Sequence, residues 1–115
     1  MNGKEIAILP KIYDLLLWIT PKLDLFPKKY KFIIADKILS NFIKVIELII
    51  EAKYGKDKKE KIFAINTELE KIRFLIRLSK DLNCITIKDY EYISQNVNEI
   101  GKMVGGWMKF TDKKI

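Results

Sequence analysis

The chain has 115 residues, with 22 basic against 15 acidic side chains, a net charge of +7, no histidine and one cysteine. That length suits one domain with a modest core, and 49% apolar residues argue for folding rather than disorder. Without an imidazole there is no His-assisted nucleophile and no His ligand for zinc, haem or a di-iron site.

Helical nucleases built on an Arg-x-x-x-x-His type motif are excluded for the same reason. The longest charge-free runs, Leu15 to Pro21 and Tyr92 to Asn98, are seven residues. A spanning helix needs about 20 apolar residues, so no membrane partner is expected. Lys4-Glu5 interrupt any signal-like N-terminus, and the lone Cys84 has no disulfide partner within the chain. A cytoplasmic protein is therefore expected.

The first periodic segment runs from about Pro10 to Phe26, with Ile12, Leu16, Ile19, Leu23 and Phe26 four or three apart. Pro10 suits a first helical turn. Pro21 should kink the helix or end it early, and Pro27 closes it. Few charges interrupt this segment, so it should be contacted on several sides.

The second segment, about Lys29 to Ala52, carries two stripes. Ala35, Ile38, Phe42, Val45, Ile49 and Ala52 form one, with Leu39, Ile43, Ile46 and Ile50 beside it. This face is wider than one packing seam requires, which predicts self-association. Gly55 suits a stop.

The third segment spans about Lys59 to Leu82, with Ile62, Ile65, Leu69, Ile72 and Ile76 on one face. Arg73, Arg77 and Lys80 form a basic stripe about ten ångströms long, from a rise of about 1.5 Å per residue. These are the chain's two arginines, set against 20 lysines, and a guanidinium fork suits phosphate or carboxylate. Arg73 also has Glu70 three residues earlier as a simple surface partner. Asn83 is a plausible cap.

The fourth segment opens at Thr86, which forms a capping-box pattern with Asp89. Tyr90, Ile93, Val97, Ile100, Val104 and Trp107 then repeat every three or four residues. Gly101 and Gly105 allow close helix approach, Gly105-Gly106 should weaken the helix, and the tail from Thr111 to Ile115 should fray.

Four helices with short loops predict an all-α, antiparallel up-down four-helix bundle, one domain over 1–115 with its core at about 9–109. Lys28, Lys29 and Lys31 cluster at the first turn; Lys53, Lys56, Lys58, Lys59 and Lys61 cluster at the next. In an up-down bundle those turns lie at opposite ends, and the third-helix stripe could connect them. Such extended charge is what phosphate neutralisation needs, although lysines also simply solvate helical faces.

The aromatic residues Tyr13, Trp18, Phe32, Phe42, Phe63, Phe74, Tyr90 and Trp107 fall in apolar runs and read mostly as core. They lack the clustered strand arrangement of single-strand stacking platforms. Trp107, Met108 and Phe110 follow two glycines and offer a partner-facing patch. Asp36, Glu47 and Glu51 form no recognisable acid pair, and no glycine-rich phosphate loop precedes a helix. No catalysis, metal or cofactor is expected.

The stretch Ile12-Tyr13-Asp14-Leu15-Leu16-Leu17-Trp18, then Pro21-Lys22-Leu23 and Phe26-Pro27, resembles the opening of the accessory variability determinant proteins of diversity-generating retroelements. The likeness continues through Asp36-Lys37-Ile38 and Glu47-Leu48-Ile49-Ile50-Glu51-Ala52. It is most specific in Glu68-Leu69-Glu70-Lys71-Ile72-Arg73-Phe74-Leu75-Ile76-Arg77-Leu78, followed by Lys80-Asp81-Leu82. It closes with Tyr90-Glu91, Glu99-Ile100-Gly101-Lys102-Met103 and Gly105-Gly106-Trp107.

Those proteins belong to a larger four-helix-bundle group that includes proteins encoded in 23S ribosomal RNA intervening sequences. That branch carries a Pro-Ser-Asn-Ile-Ala-Glu-Gly-like segment near the second helix, which is absent here. The resemblance implies a basic bundle that forms a ring-like homopentamer, binds nucleic acid and associates with a reverse transcriptase. Such a protein has no catalysis of its own and supports cDNA synthesis from template RNA during mutagenic retrohoming.

The expected nucleic-acid or partner contacts are Lys28, Lys29, Lys31, Lys71, Arg73, Arg77 and Lys80. Leu39, Ile43, Ile46, Ile50 and Trp107 are the expected oligomer interface. The competing expectation is a protein-interaction scaffold of the ribosomal intervening-sequence type, without a reverse transcriptase.

Overall fold

The computed structural model describes residues 4–113, with side chains described for residues 7–112. These residues form four helices and no strand: α1 is Lys4–Asp24, α2 covers 28–54, α3 is Lys58–Asp81 and α4 is Ile87–Lys113. Helix α2 begins with one α turn, Lys28–Tyr30, widens into a π-helical stretch, Lys31–Ala35, and continues as Asp36–Tyr54. In the widened turn the Asp36 N–H donates to the Lys31 carbonyl. One inserted residue thus leaves Phe32 and Ile33 outward while Ile34 and Ala35 turn into the core.

Each helix buries the stripe that its periodicity marks. Ile12, Ile19 and Leu23 of α1 meet Ile38, Phe42, Val45 and Ile49 of α2, Ile62 to Ile76 of α3, and Ile93 to Trp107 of α4 in one apolar cluster. Fully burying one such side chain contributes about 1.5–3 kcal/mol, which outweighs the middling helix propensity of isoleucine.

Cross-helix partners set the arrangement. Helix α1 meets α4 through Lys11–Glu99 (2.5 Å), stacked Trp18 and Tyr92 (centroids 4.4 Å) and Lys22–Asp89 (3.6 Å). Helix α3 meets α4 through Lys59–Asp112 (2.9 Å), Arg73–Asn98 (3.2 Å) and Lys80 over the Tyr90 ring (4.4 Å). In both pairs numbering rises along one helix as it falls along the other.

The helix ends follow local chemistry. The Asp89 N–H donates to Thr86 Oγ1 at 3.0 Å, the N-cap half of the expected box. At the end of α3, Asn83 takes φ 62°. The Asn83 N–H donates to the Lys80 carbonyl and the Cys84 N–H to the Ser79 carbonyl, which together make a Schellman cap. Gly55 also ends its helix, but with extended backbone, φ −105°. A Cβ there would lie 2.7 Å from the Glu51 carbonyl oxygen.

Several expectations are corrected. Helix α1 starts at Lys4 rather than near Pro10, and it passes through Pro21 to Asp24. Both proline rings are exposed, and the buried residues Ile8, Ile12, Ile19 and Leu23 on either side hold the helix together. Near Pro21 the Thr20 hydroxyl donates to the Leu16 carbonyl at 2.6 Å. Helix α4 runs unbroken through Gly105-Gly106 to Lys113 because Val104 and Trp107 anchor it inward; the last two residues of the expected frayed tail lie outside the described residues.

The aromatic residues divide. Phe42 and Trp107 are core, whereas Tyr13, Phe32, Phe63 and Phe74 are between 61% and 74% exposed. On α3 the isoleucine stripe fixes the inward direction. Phe74, two residues past Ile72, lies about 200° around the helix from it.

Candidate functional site

The basic residues at the start of α2 are placed by Pro27, whose carbonyl accepts from the Tyr30 and Lys31 N–H groups at 2.8 and 3.0 Å. Lys31 reaches back across the turn to Asp24 at 2.7 Å, and Lys29 lies over the Tyr30 ring at 5.1 Å. Lys28 is exposed with no acidic partner within 4 Å among the described residues. The turn joining α3 to α4 lies at the same end. Burial pushes the Cys84 thiol pKa up, while the nearby Lys29 charge pulls it down.

On α3 the expected stripe is present but largely engaged. Arg73 donates from Nε to Asn98 Oδ1 at 3.2 Å and pairs with Glu70 at 2.6 Å. Its Nη2 lies beside Gly101 of α4, where a Cβ would meet it at 2.7 Å. Lys80 covers the Tyr90 ring and sits 3.6 Å from Asp81. Arg73 and Lys80 therefore bind α3 to α4, and Arg77 between them stays exposed without an acidic partner among the described residues.

Lys71 pairs with Glu68 at 2.8 Å. Two residues before Arg73, it stands on the other flank of the helix. The structure thus brings Arg73, Arg77 and Lys80 onto one flank and does not bring Lys71 to it. The stripe is a helix-to-helix seam with one open cation.

The apolar surface is clearer. Ile43 and Ile50 are 45% and 44% exposed, with Leu39 and Ile46 half-buried beside them. A cleft of about 300 Å³ between α1 and α2 is lined by Thr20, Leu23, Lys31, Ala35 and Leu39. It continues along α2 past Ser40, Ile43 and Glu47. Tyr13 and Leu17 share the α1 face of Thr20, being seven and three residues before it, and both are exposed.

The second stripe of α2 and the outer face of α1 are thus both apolar and exposed, with the cleft between Thr20 and Leu39 joining the two helices. Trp107 is the correction. At 2% exposure it is held in the subunit's own core by the same inward phase as Val104 and Ile100, and it is not offered to a second copy. The sequence pattern assigns Tyr13 to the core aromatics and gives Leu17 no role, and both are exposed; their four-residue spacing beside the Ile12–Leu16–Ile19 stripe is the signal for this face.

Among the described residues no three His, Cys, Asp or Glu side chains could hold a metal ion, and no helix is long and apolar enough to cross a membrane. Glu51 and Glu99 have carboxyl pKa values below the ordinary range, each through a hydrogen bond from a lysine, Lys61 and Lys11 respectively. Both are surface ion pairs.

A protein-family model described as bAvd-like matches residues 6–111. No curated protein matches the chain.

Proposed function

The chain belongs to the bAvd-like family, and from that premise we propose that it is a non-catalytic accessory protein of a retroelement. In this reading an up-down bundle assembles with copies of itself, as a pentamer. It binds nucleic acid through its basic surfaces and supports a reverse transcriptase in template-RNA-dependent cDNA synthesis and mutagenic retrohoming. The observation that carries the reading is the family match over nearly the whole chain. The apolar α1–α2 face, which a lone subunit leaves open, supports assembly, with Leu39, Ile43, Ile46 and Ile50 at its centre.

Lys28, Lys29, Lys31, Lys71, Arg73, Arg77 and Lys80 are the proposed contacts for phosphate or partner. Lys28 and Arg77 lead, since neither has an acidic partner within 4 Å among the described residues. A phosphate contact releases a counterion, so affinity should fall steeply with salt.

The test is RNA binding by the intact protein and by a Lys28→Glu/Arg77→Glu variant. Weaker binding with unchanged helical content supports the reading, and no binding by the unaltered protein at low salt rejects it. A second reading, a protein-interaction scaffold without a reverse transcriptase, is favoured by the pairing of Lys31, Lys71, Arg73 and Lys80 with their own subunit's acids. In that case the same variant would keep its protein partner.

A further inference from the structure

Helix α3 carries a ridge of side chains that its own bundle leaves open. At about 100° per residue, Phe63, Thr67, Phe74 and Leu78 fall within about 60° of one another and span about 22 Å of axis. All four are exposed, because they point away from the buried stripe of Ile62, Ile65, Leu69, Ile72 and Ile76. Phe63 stands at one end of this ridge, and Phe74 beside Leu78 at the other.

The Phe74 end is positively charged. Lys71 and Arg77 stand three residues before and after Phe74, about 60° to either side of it. Lys71 is 53% exposed whereas its partner Glu68 is 12% exposed, so that pair turns its ammonium outward. The acids around Phe74 are already engaged, Glu70 by Arg73 at 2.6 Å and Asp81 by Lys80 at 3.6 Å.

The α1–α2 face is the counterpart in shape and in charge. It holds a cleft rather than a ridge, and Leu39, Ile43, Ile46 and Ile50 run along about 16 Å of α2 beside it. Asp36 and Glu47 stand within about 40° of Ile43. Both are exposed, with no cation within 4 Å among the described residues. Lys37 and Lys44 are turned about 100° or more away from Ile43.

We propose that the α3 ridge of one copy of this chain fills the α1–α2 face of the next, in a head-to-tail contact. This rests on the reading that the chain assembles with copies of itself, and it names the surface that covers the open face. A ridge seated in a groove is how helices pack, and the cations beside Phe74 approach Asp36 and Glu47. The α1–α2 face set against its own copy would instead bring those carboxylates together and leave the α3 ridge uncovered. Helices α1 and α3 stand diagonally, each packed against α2 and α4, so the face and the ridge lie on different sides of the subunit. Each pairing therefore leaves one free half on either copy, and the contact repeats until it closes on itself.

The test uses the full chain and two variants, with particle mass followed by light scattering. Phe63→Asp/Phe74→Asp alters the ridge and Leu17→Asp/Ile43→Asp alters the face; all four side chains are exposed, so circular dichroism should be unchanged. Each variant alone should fall to the 13.6 kDa subunit. Mixed in equal amounts, the two should form a dimer and nothing larger, because each keeps the half that the other lacks. The mixture is measured at the highest soluble concentration, since a single junction lacks the closure of a ring. Phe74→Lys should disturb assembly less than Phe74→Asp, because the surface it meets is acidic.

A ridge variant that keeps the parent's mass overturns the head-to-tail contact and leaves assembly through the α1–α2 face standing. A mixture that stays monomeric, or equal loss with Phe74→Lys and Phe74→Asp, also overturns that contact alone. An unaltered protein that is itself a monomer overturns the contact together with the assembly reading it rests on.

Discussion

The guanidinium of Arg73 occupies the space in which a side chain on Gly101 would begin: a Cβ there would lie 2.7 Å from Nη2. With the Nε hydrogen bond to Asn98, this contact makes Arg73 a clamp between α3 and α4. A basic residue on an apolar bundle is thus tied into the fold before it meets any partner.

A double-mutant cycle reads that clamp. Alanine is favoured over glycine in a helix by about 1 kcal/mol, so Gly101→Ala in an Arg73→Ala background should stabilise by about that amount. In the unaltered protein the guanidinium must swing away and lose Asn98. Its net hydrogen bond is worth about 0.5–1.5 kcal/mol, which should cancel the gain. Denaturant unfolding should therefore return a coupling of about 1 kcal/mol; additive effects would dismiss the clamp.

Asn41 is buried in α2, and its Nδ2 has no hydrogen-bond partner among the described residues. Leaving such a donor unsatisfied costs about 1–3 kcal/mol. Asn41→Leu should raise the unfolding free energy by about 1 kcal/mol or more, measured by urea titration. A loss of stability would mean that the amide is satisfied in the assembled protein.

The α1–α2 face gives a cleaner separation of folding from assembly. Leu17 and Ile43 are exposed on the subunit, so Leu17→Asp/Ile43→Asp should leave helical content intact. The particle mass by light scattering should fall to the 13.6 kDa subunit. An unchanged oligomer would place the interface elsewhere.

Acid sensitivity follows from two carboxylates. Glu51 and Glu99 titrate below their ordinary 4.5 in the folded protein because Lys61 and Lys11 hold them ionised. Their contribution to stability is present above about pH 4.5 and is lost as pH falls through the lower folded values. A Glu51→Gln/Glu99→Gln variant should match the parent below that window and be slightly less stable above it. The effect is small, since both pairs are in contact with solvent.

The sequence made the core legible because a 3.6-residue period marks one face without any knowledge of neighbours. Ile38, Phe42, Val45, Ile49 and Ala52 fall on one stripe, and all five are buried. The second stripe, through Ile43 and Ile50, exceeds what one packing seam requires, and it is the exposed one. What failed needed phase or register. Phe63 and Phe74 sit in apolar runs, and only their angle from Ile62 and Ile72 puts them outside. The engagement of Arg73 depends on which residues of α4 face it, and no single-helix pattern carries that. The local cost of Pro10 and Pro21 predicts helix ends near them, while burial on either side of each keeps the helix continuous.

The most direct measurement is RNA binding by the full chain across a salt series, with particle mass recorded on the same sample. The account predicts a multimer whose log affinity falls steeply with log salt, as phosphate contacts spread over several subunits require. A monomer that binds no RNA even at low salt would contradict it, and the basic faces would then be solvated surface.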